Sequence, residues 1–129
     1  MNKVELIKLI EDLNLDKDEY YILGSGSLVM HGIREVANDL DLCVTEETFE
    51  ILKTKFNIDL SSKNECGFYF LNDVIEVVIS NKEDFNRNFI EGYPVEKLEK
   101  ILEFKKNRNK EKDKFDIIKI EEYLFNKNY

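Results

Sequence analysis

Residues 20–44, "YYILGSGSLVMHGIREVANDLDLCV", pass from one apolar run to another through a glycine-bearing turn. "YYIL" reads as a short strand that runs into "GSGS". Helix-like "SLVMHG" follows and stops at Gly32, a residue suited to ending a helix. After the loop "IREVAN", the run "DLDLCV" reads as a second strand. In that strand Asp39 and Asp41 are two residues apart, so both carboxylates project from one face, with Cα atoms about 6.6–7 Å apart. Two like charges held that close repel each other and raise a pKa unless something positive sits between them.

Working outward, residues 2–13 place Val4, Ile7 and Ile10, and one step round Leu6, Leu9 and Leu13, on a helical stripe. Thr45 can cap the next helix, "EETFEILKTKF", whose acids sit in its first turn as the helix dipole prefers. Further on, "CGFYFL" and "VIEVVIS" flank Asn72-Asp73, the pattern of a β-hairpin with a two-residue turn. Pro94 suits the first turn of a helix, and two helical segments close the chain, "VEKLEKILEFKKN" and "EKDKFDIIKIEEYLF". The order helix, strand, helix, strand, helix, hairpin, helix, helix predicts an α/β (α+β) fold, a mixed β-sheet flanked by helices with a helical C-terminal segment. At 129 residues a single domain is expected, with its core over about residues 20–82 and its C-terminal helices over about 94–126.

The composition narrows the function. A hydrophobic content of 43% excludes a disordered tail. A formal net charge of −8 argues against duplex DNA as a partner, because neutralising phosphates needs a basic surface. It leaves room for a nucleotide whose phosphates arrive with metal ions, or for a cationic small substrate. Cys43 and Cys66 lie in apolar runs, a pattern that admits a disulfide but favours two buried thiols in a reducing compartment. The N-terminal segment has no long apolar core and no run approaches a membrane span, so a cytoplasmic protein with no membrane partner is expected.

Several residues could carry chemistry. A strand that ends in Gly24-Ser25-Gly26-Ser27 and opens a helix presents unpaired backbone N–H groups, which glycine lets a phosphate approach. Ser25 and Ser27 add hydroxyls, although serines at helix starts are also common caps. Asp39 and Asp41 are good ligands for a hard cation such as Mg²⁺, while the same pair also occurs on a solvated edge strand. In "VIEVVIS" Glu76 shares a face with Val74 and Val78, either as a surface position or as a ligand facing the aspartate pair. Asp73 is the rival acid, better explained by the turn. His31 can touch phosphates or serve the helix end, and Arg34 can bind triphosphate or form a surface salt bridge. The basic run from Lys105 to Lys114 reads as a solvated helix face.

The run over residues 20–44 resembles the core signature of the nucleotidyltransferase superfamily, the fold shared with DNA polymerase beta. That signature is an apolar residue, Gly, then Gly or Ser, a gap, and Asp-x-Asp between apolar residues. Here Gly24 and Ser25 fill the first pair, thirteen residues intervene, and Asp39 and Asp41 follow. "HGIRE" is similar to the same gap in small bacterial members. The tail "LEKILEFKKNRNKEKDKFDIIKIEEYL" is similar to their helical segment, with Lys105 as its first lysine, Lys112-Asp113 as a Lys-Asp pair and Asp116 as a later acid. Asn109, Lys110 and Glu111 depart from the family's Gly-Arg-Pro there.

The resemblance covers about residues 20–124 and implies a function. It implies transfer of a nucleoside monophosphate from an NTP to an acceptor such as an RNA end, a protein or a small molecule. The implied catalytic and metal-binding acids are Asp39, Asp41 and Glu76, holding Mg²⁺, or Mn²⁺ in its place. The implied nucleotide-binding residues are Gly24, Ser25, Ser27, Arg34 and Lys105. The family's third acid is usually Asp, and Glu76 is one methylene longer. The alternative is therefore a catalytically impaired copy that keeps the fold as a binding module or a toxin–antitoxin component, with a protein partner encoded nearby.

Overall fold

The computed structural model describes residues 1–127. These form five α-helices and a six-stranded mixed sheet, as the α/β expectation requires. Helix α1 (Lys3–Leu13) is fastened at its start by a capping box, with Asn2 accepting from the Glu5 N–H and Glu5 accepting from that of Asn2. It buries Leu6, Ile10 and Leu13, whereas Val4 points away at 76% exposure. The inward stripe is thus narrower than the sequence suggests.

Strand β1 (Tyr20–Ile22) leads into α2 (Gly24–Met30) and then β2 (Leu40–Val44). Gly24 makes the corner at φ +53°, in the left-handed region that glycine enters most readily. Helix α3 (Glu46–Phe56) starts on Thr45, whose hydroxyl accepts from the Thr48 N–H. Strands β3 (Tyr69–Phe70) and β4 (Ile75–Ile79) form the expected antiparallel hairpin. Its turn is longer than two residues. The Leu71 N–H donates to the Ile75 carbonyl, and the Asn72 side chain accepts from the N–H groups of Val74 and Ile75.

The region before the C-terminal helices departs from expectation. Pro94 does not open a helix; it lies in β6 (Tyr93–Glu96), which pairs with β5 (Arg87–Ile90) as a second hairpin. Its turn residues Glu91 and Gly92 both have positive φ, at +52° and +84°, the conformation of a tight two-residue turn. In such a hairpin the closing pair Ile90–Tyr93 exchanges hydrogen bonds and the next pair does not, so Pro94 opposite Phe89 removes no β5–β6 bond. Helices α4 (Leu98–Arg108) and α5 (Lys114–Lys127) follow. Helices α1, α3 and α4 each end on an asparagine in the left-handed conformation, Asn14, Asn57 and Asn109.

The sheet order is β3-β4-β2-β1-β6-β5, with β2 parallel to β4, β1 parallel to β6 and the other pairs antiparallel. One face builds the main core, where Tyr20, Ile22, Leu40, Leu42, Val44, Ile75, Val77 and Val95 meet Leu6, Ile10 and Leu52. A second cluster of Leu28, Ile33, Leu98, Ile101 and Ile120 ties α2 and its following loop to α4 and α5. Cys43 is buried on β2, but Cys66 is exposed in the turn before β3. The apolar run around Cys66 serves Phe68 and Tyr69 rather than the thiol. No described helix is long and apolar enough to cross a membrane.

Helix α2 packs so closely that a Cβ on Gly26 would lie 2.7 Å from the Ile22 Cγ2 methyl, itself fully buried. Alanine would gain about 1 kcal/mol in helix propensity, against about 1–3 kcal/mol for overpacking a site that cannot yield. Gly26→Ala is therefore expected to lower stability by about 1–2 kcal/mol in urea unfolding. A stabilised variant would show that the β1–α2 contact is loose.

Candidate functional site

The acids meet through strand register. In the parallel pair β2–β4, Asp41 lies directly beside Glu76, with neighbouring strands about 4.8 Å apart. The alternation that buries Leu40, Leu42 and Val77 on one side turns Asp41 and Glu76 to the other. Asp41 is half-buried, and its Oδ1 is buried without a hydrogen-bond partner. Burial first, then the charge and hydrogen bond of Glu76, then the charge of Asp39, push the Asp41 carboxyl up to about 7. Asp39 stands in the bend before β2 and is exposed. The two aspartates, equivalent by spacing, are unequal by environment.

A further acid, Glu96 on β6, reaches the same place. Its Oε1 accepts from the Gly24 N–H at 2.9 Å. Burial raises its carboxyl, against the lowering effect of that N–H and of Lys100 and Lys105. The sequence reading passed over Glu96 because Pro94 assigned it to a helix. The Gly92 turn followed by alternating residues was the signal available. The Glu96 backbone is also held, since its carbonyl accepts from Ser27 Oγ at 2.7 Å. Ser27 is fully buried, and its own carbonyl accepts from His31 Nδ1 at 2.8 Å, which places the proton on that nitrogen. His31 also stacks edge-on against Tyr123.

Facing these acids is a cationic wall. Lys105 is buried, with its ammonium 3.1 Å from Asp113 and 3.4 Å from Asp116. Arg108 grips Asp113 with two nitrogens at 2.7 and 2.6 Å, and Arg34 grips Asp116 at 3.2 and 2.7 Å. Hydrogen bonds from Arg108, and then those and the charge of Lys105, hold the Asp113 carboxyl well below the usual carboxylate range despite its burial. The basic run is therefore not uniformly a solvated face. Lys105 and Arg108 point inward while Lys106 and Lys114 form exposed pairs with Glu121 and Glu111.

Between the two lies a cleft of about 640 Å³. Of the residues singled out by sequence, Gly24, Ser25, Arg34, Asp41, Lys105, Lys112 and Asp113 line it, joined by Glu96 and Arg108. Asp39, Glu76 and Ser27 do not: Asp39 is exposed, Glu76 stands beside Asp41 on the next strand, and Ser27 is buried beneath. Among the described residues, no three of His, Cys, Asp and Glu form a closed ligand set. Mg²⁺ does not require one, because it keeps several waters and is commonly held by one or two carboxylates plus substrate phosphates. The buried, unpartnered oxygen of Asp41 beside Glu76 has the chemistry such an ion takes.

No family model matches the chain, and no curated protein or solved structure matches it. The functional reading rests on the chemistry of the cleft.

Two outcomes follow from the charges. The Asp41 carboxyl is raised from 3.8 to about 7 in the fold, so between those values the folded state keeps a proton that the unfolded state has released. Its contribution to stability is then complete below pH 3.8 and lost as pH rises through about 7. Asp41→Asn should flatten that decline and raise Tm at pH 8 by about 3–6 °C, with added Mg²⁺ stabilising the wild type but not the variant. A variant with the wild-type pH slope would remove Asp41 as its source. Asp113→Asn, which strips the charge shared by Lys105 and Arg108, should cost about 3 kcal/mol in urea unfolding at pH 7. A loss near zero would show that the wall is held by packing alone.

Proposed function

We propose that the protein is a metal-dependent nucleotidyltransferase that moves the nucleoside monophosphate of an NTP onto an acceptor hydroxyl. The observation that carries this reading is a single cleft lined both by Asp41, whose buried Oδ1 has no hydrogen-bond partner, and by Arg34, Lys105 and Arg108, together with Gly24 and Ser25. An acidic wall alone would suit a cation and a basic wall alone a free anion. The two together suit a polyphosphate that carries its own divalent ion. Gly24, lacking a Cβ, lets the phosphates approach the backbone, and Ser25 offers a hydroxyl. Arg34 and Lys105 neutralise phosphate oxygens, and Asp41 and Glu76 hold Mg²⁺ or Mn²⁺.

The reaction is a substitution at the α phosphorus. A bond forms from the acceptor oxygen to phosphorus, the bond to the bridging oxygen breaks, and pyrophosphate leaves with the electron pair. Glu76, half-buried beside Asp41, completes the metal site or takes the hydroxyl proton. A divalent ion held by Asp41 and Glu76 would supply the positive charge that offsets the one developing on the leaving pyrophosphate. The acceptor is an RNA end, a protein or a small molecule.

One observation favours a second reading, a fold kept for nucleotide or protein binding without turnover. The Glu96 carboxylate already occupies the Gly24 N–H that a phosphate would take. The readings separate in one assay. Wild type with each of four α-labelled NTPs and Mg²⁺ should label an acceptor in host RNA or protein extract, with no labelling by Asp41→Ala. Calorimetry should show Mg²⁺–ATP binding lost in Asp41→Ala; unchanged affinity would refute the metal assignment. Tight binding without labelling, together with co-purification of a neighbouring gene's product, would establish the second reading.

A further inference from the structure

The cleft has a second half that the phosphate chemistry leaves unused. Helix α4 buries Lys105 along with Leu98 and Ile101, yet leaves the adjacent Phe104 58% exposed. Phe104 lines the cleft beside the cationic wall, and the Arg108 guanidinium lies 5.0 Å from its ring centroid. The same Arg108 is anchored on Asp113, so the ring rests against a fixed group. A second aromatic, Phe68, reaches the cleft from the turn before β3. That turn is pinned by Asn64, whose side-chain oxygen accepts from the Cys66 and Phe68 N–H groups, each at 2.9 Å. The Asn64 N–H donates in return to the Phe68 carbonyl at 2.9 Å.

We propose that Phe104, with Phe68, forms the subsite for the purine base of the nucleotide. This rests on the nucleotide reading of the cleft and adds to it where the base lies and what class of base is favoured. A triphosphate alone does not fill about 640 Å³, and pockets of this size ordinarily enclose a whole cofactor-sized ligand. With phosphates against Arg34 and Lys105, the sugar and base extend along α4 toward Phe104, which lines the same cleft and is largely exposed. Stacking on an aromatic ring is tolerant of base identity and grows with ring area, so purines bind more tightly than pyrimidines. Arg108 on the Phe104 ring contributes a cationic plane to the same stack.

The test is calorimetry on the full chain with Mg²⁺–ATP, Mg²⁺–CTP and Mg²⁺–tripolyphosphate. Wild type should bind ATP more tightly than CTP and tripolyphosphate. Phe104→Ala should weaken ATP by about 5- to 100-fold, leave tripolyphosphate unchanged and erase the preference over CTP, while Phe104→Tyr should retain it. Because Phe104 is exposed, far-ultraviolet circular dichroism of the alanine variant should match wild type. Equal weakening of ATP and tripolyphosphate, or of neither, would overturn the subsite while leaving the phosphate site standing. CTP binding as tightly as ATP would overturn the purine preference. Failure of wild type to bind either ATP or tripolyphosphate would bring down the nucleotide reading and this inference together.

Discussion

The ammonium of Lys105 is buried, and a buried charge is tolerated only where opposite charges and hydrogen bonds replace the lost water. That requirement organises the C-terminal third of the chain. It draws in Asp113 from the turn after α4 and Asp116 from the first turn of α5. Each carboxylate accepts more than one lysine can donate, so Arg108 and Arg34 complete them. Because Arg34 belongs to the loop between α2 and β2, the network clamps the C-terminal helices onto the segment that carries the aspartates. The apolar cluster of Leu28, Ile33, Leu98, Ile101 and Ile120 holds the same elements together. Apolar packing and ion pairs thus join the same elements.

The network also sets the field in the cleft. Three cations share two carboxylates, leaving the wall with positive charge to spare, while Asp41, Glu76 and Glu96 gather negative charge on the sheet. The Glu96 carboxyl feels the charge of Lys105, but Asp41 Oδ1 has no hydrogen-bond partner. Arg34, Lys105 and Arg108 are committed to Asp113 and Asp116, so none swings across to Asp41. The cleft thus keeps basic and acidic side chains in one lining.

How much was legible in the sequence varied with the range of the interactions. The elements from α1 to β4 follow from local patterns, with caps, glycine turns and alternation agreeing. The placement of Glu76 beside Asp41 follows from alternation plus one pairing that the sequence does not state. Strands β5 and β6 escaped because their turn uses Glu91, not the usual Asn or Asp, at positive φ, and because Pro94 resembles a helix start. Glu96 escaped with them. The tail was read as alternating solvated charge, since periodicity cannot tell a lysine that faces water from one that faces two aspartates. Only the resemblance to nucleotidyltransferases singled out Lys105, Asp113 and Asp116 from the other charged residues of the tail.

The Asp-x-Asp pair shows where spacing stops being informative. Residues at i and i+2 share a face, yet β2 begins at Leu40, so Asp41 lies inside the ladder and Asp39 just before it. Pairing on both sides by β1 and β4 fixes the Asp41 backbone and desolvates its side chain. Asp39 stays exposed in the bend before the strand. The two aspartates therefore differ by position on the strand, a distinction set by where a hydrogen-bonded ladder begins.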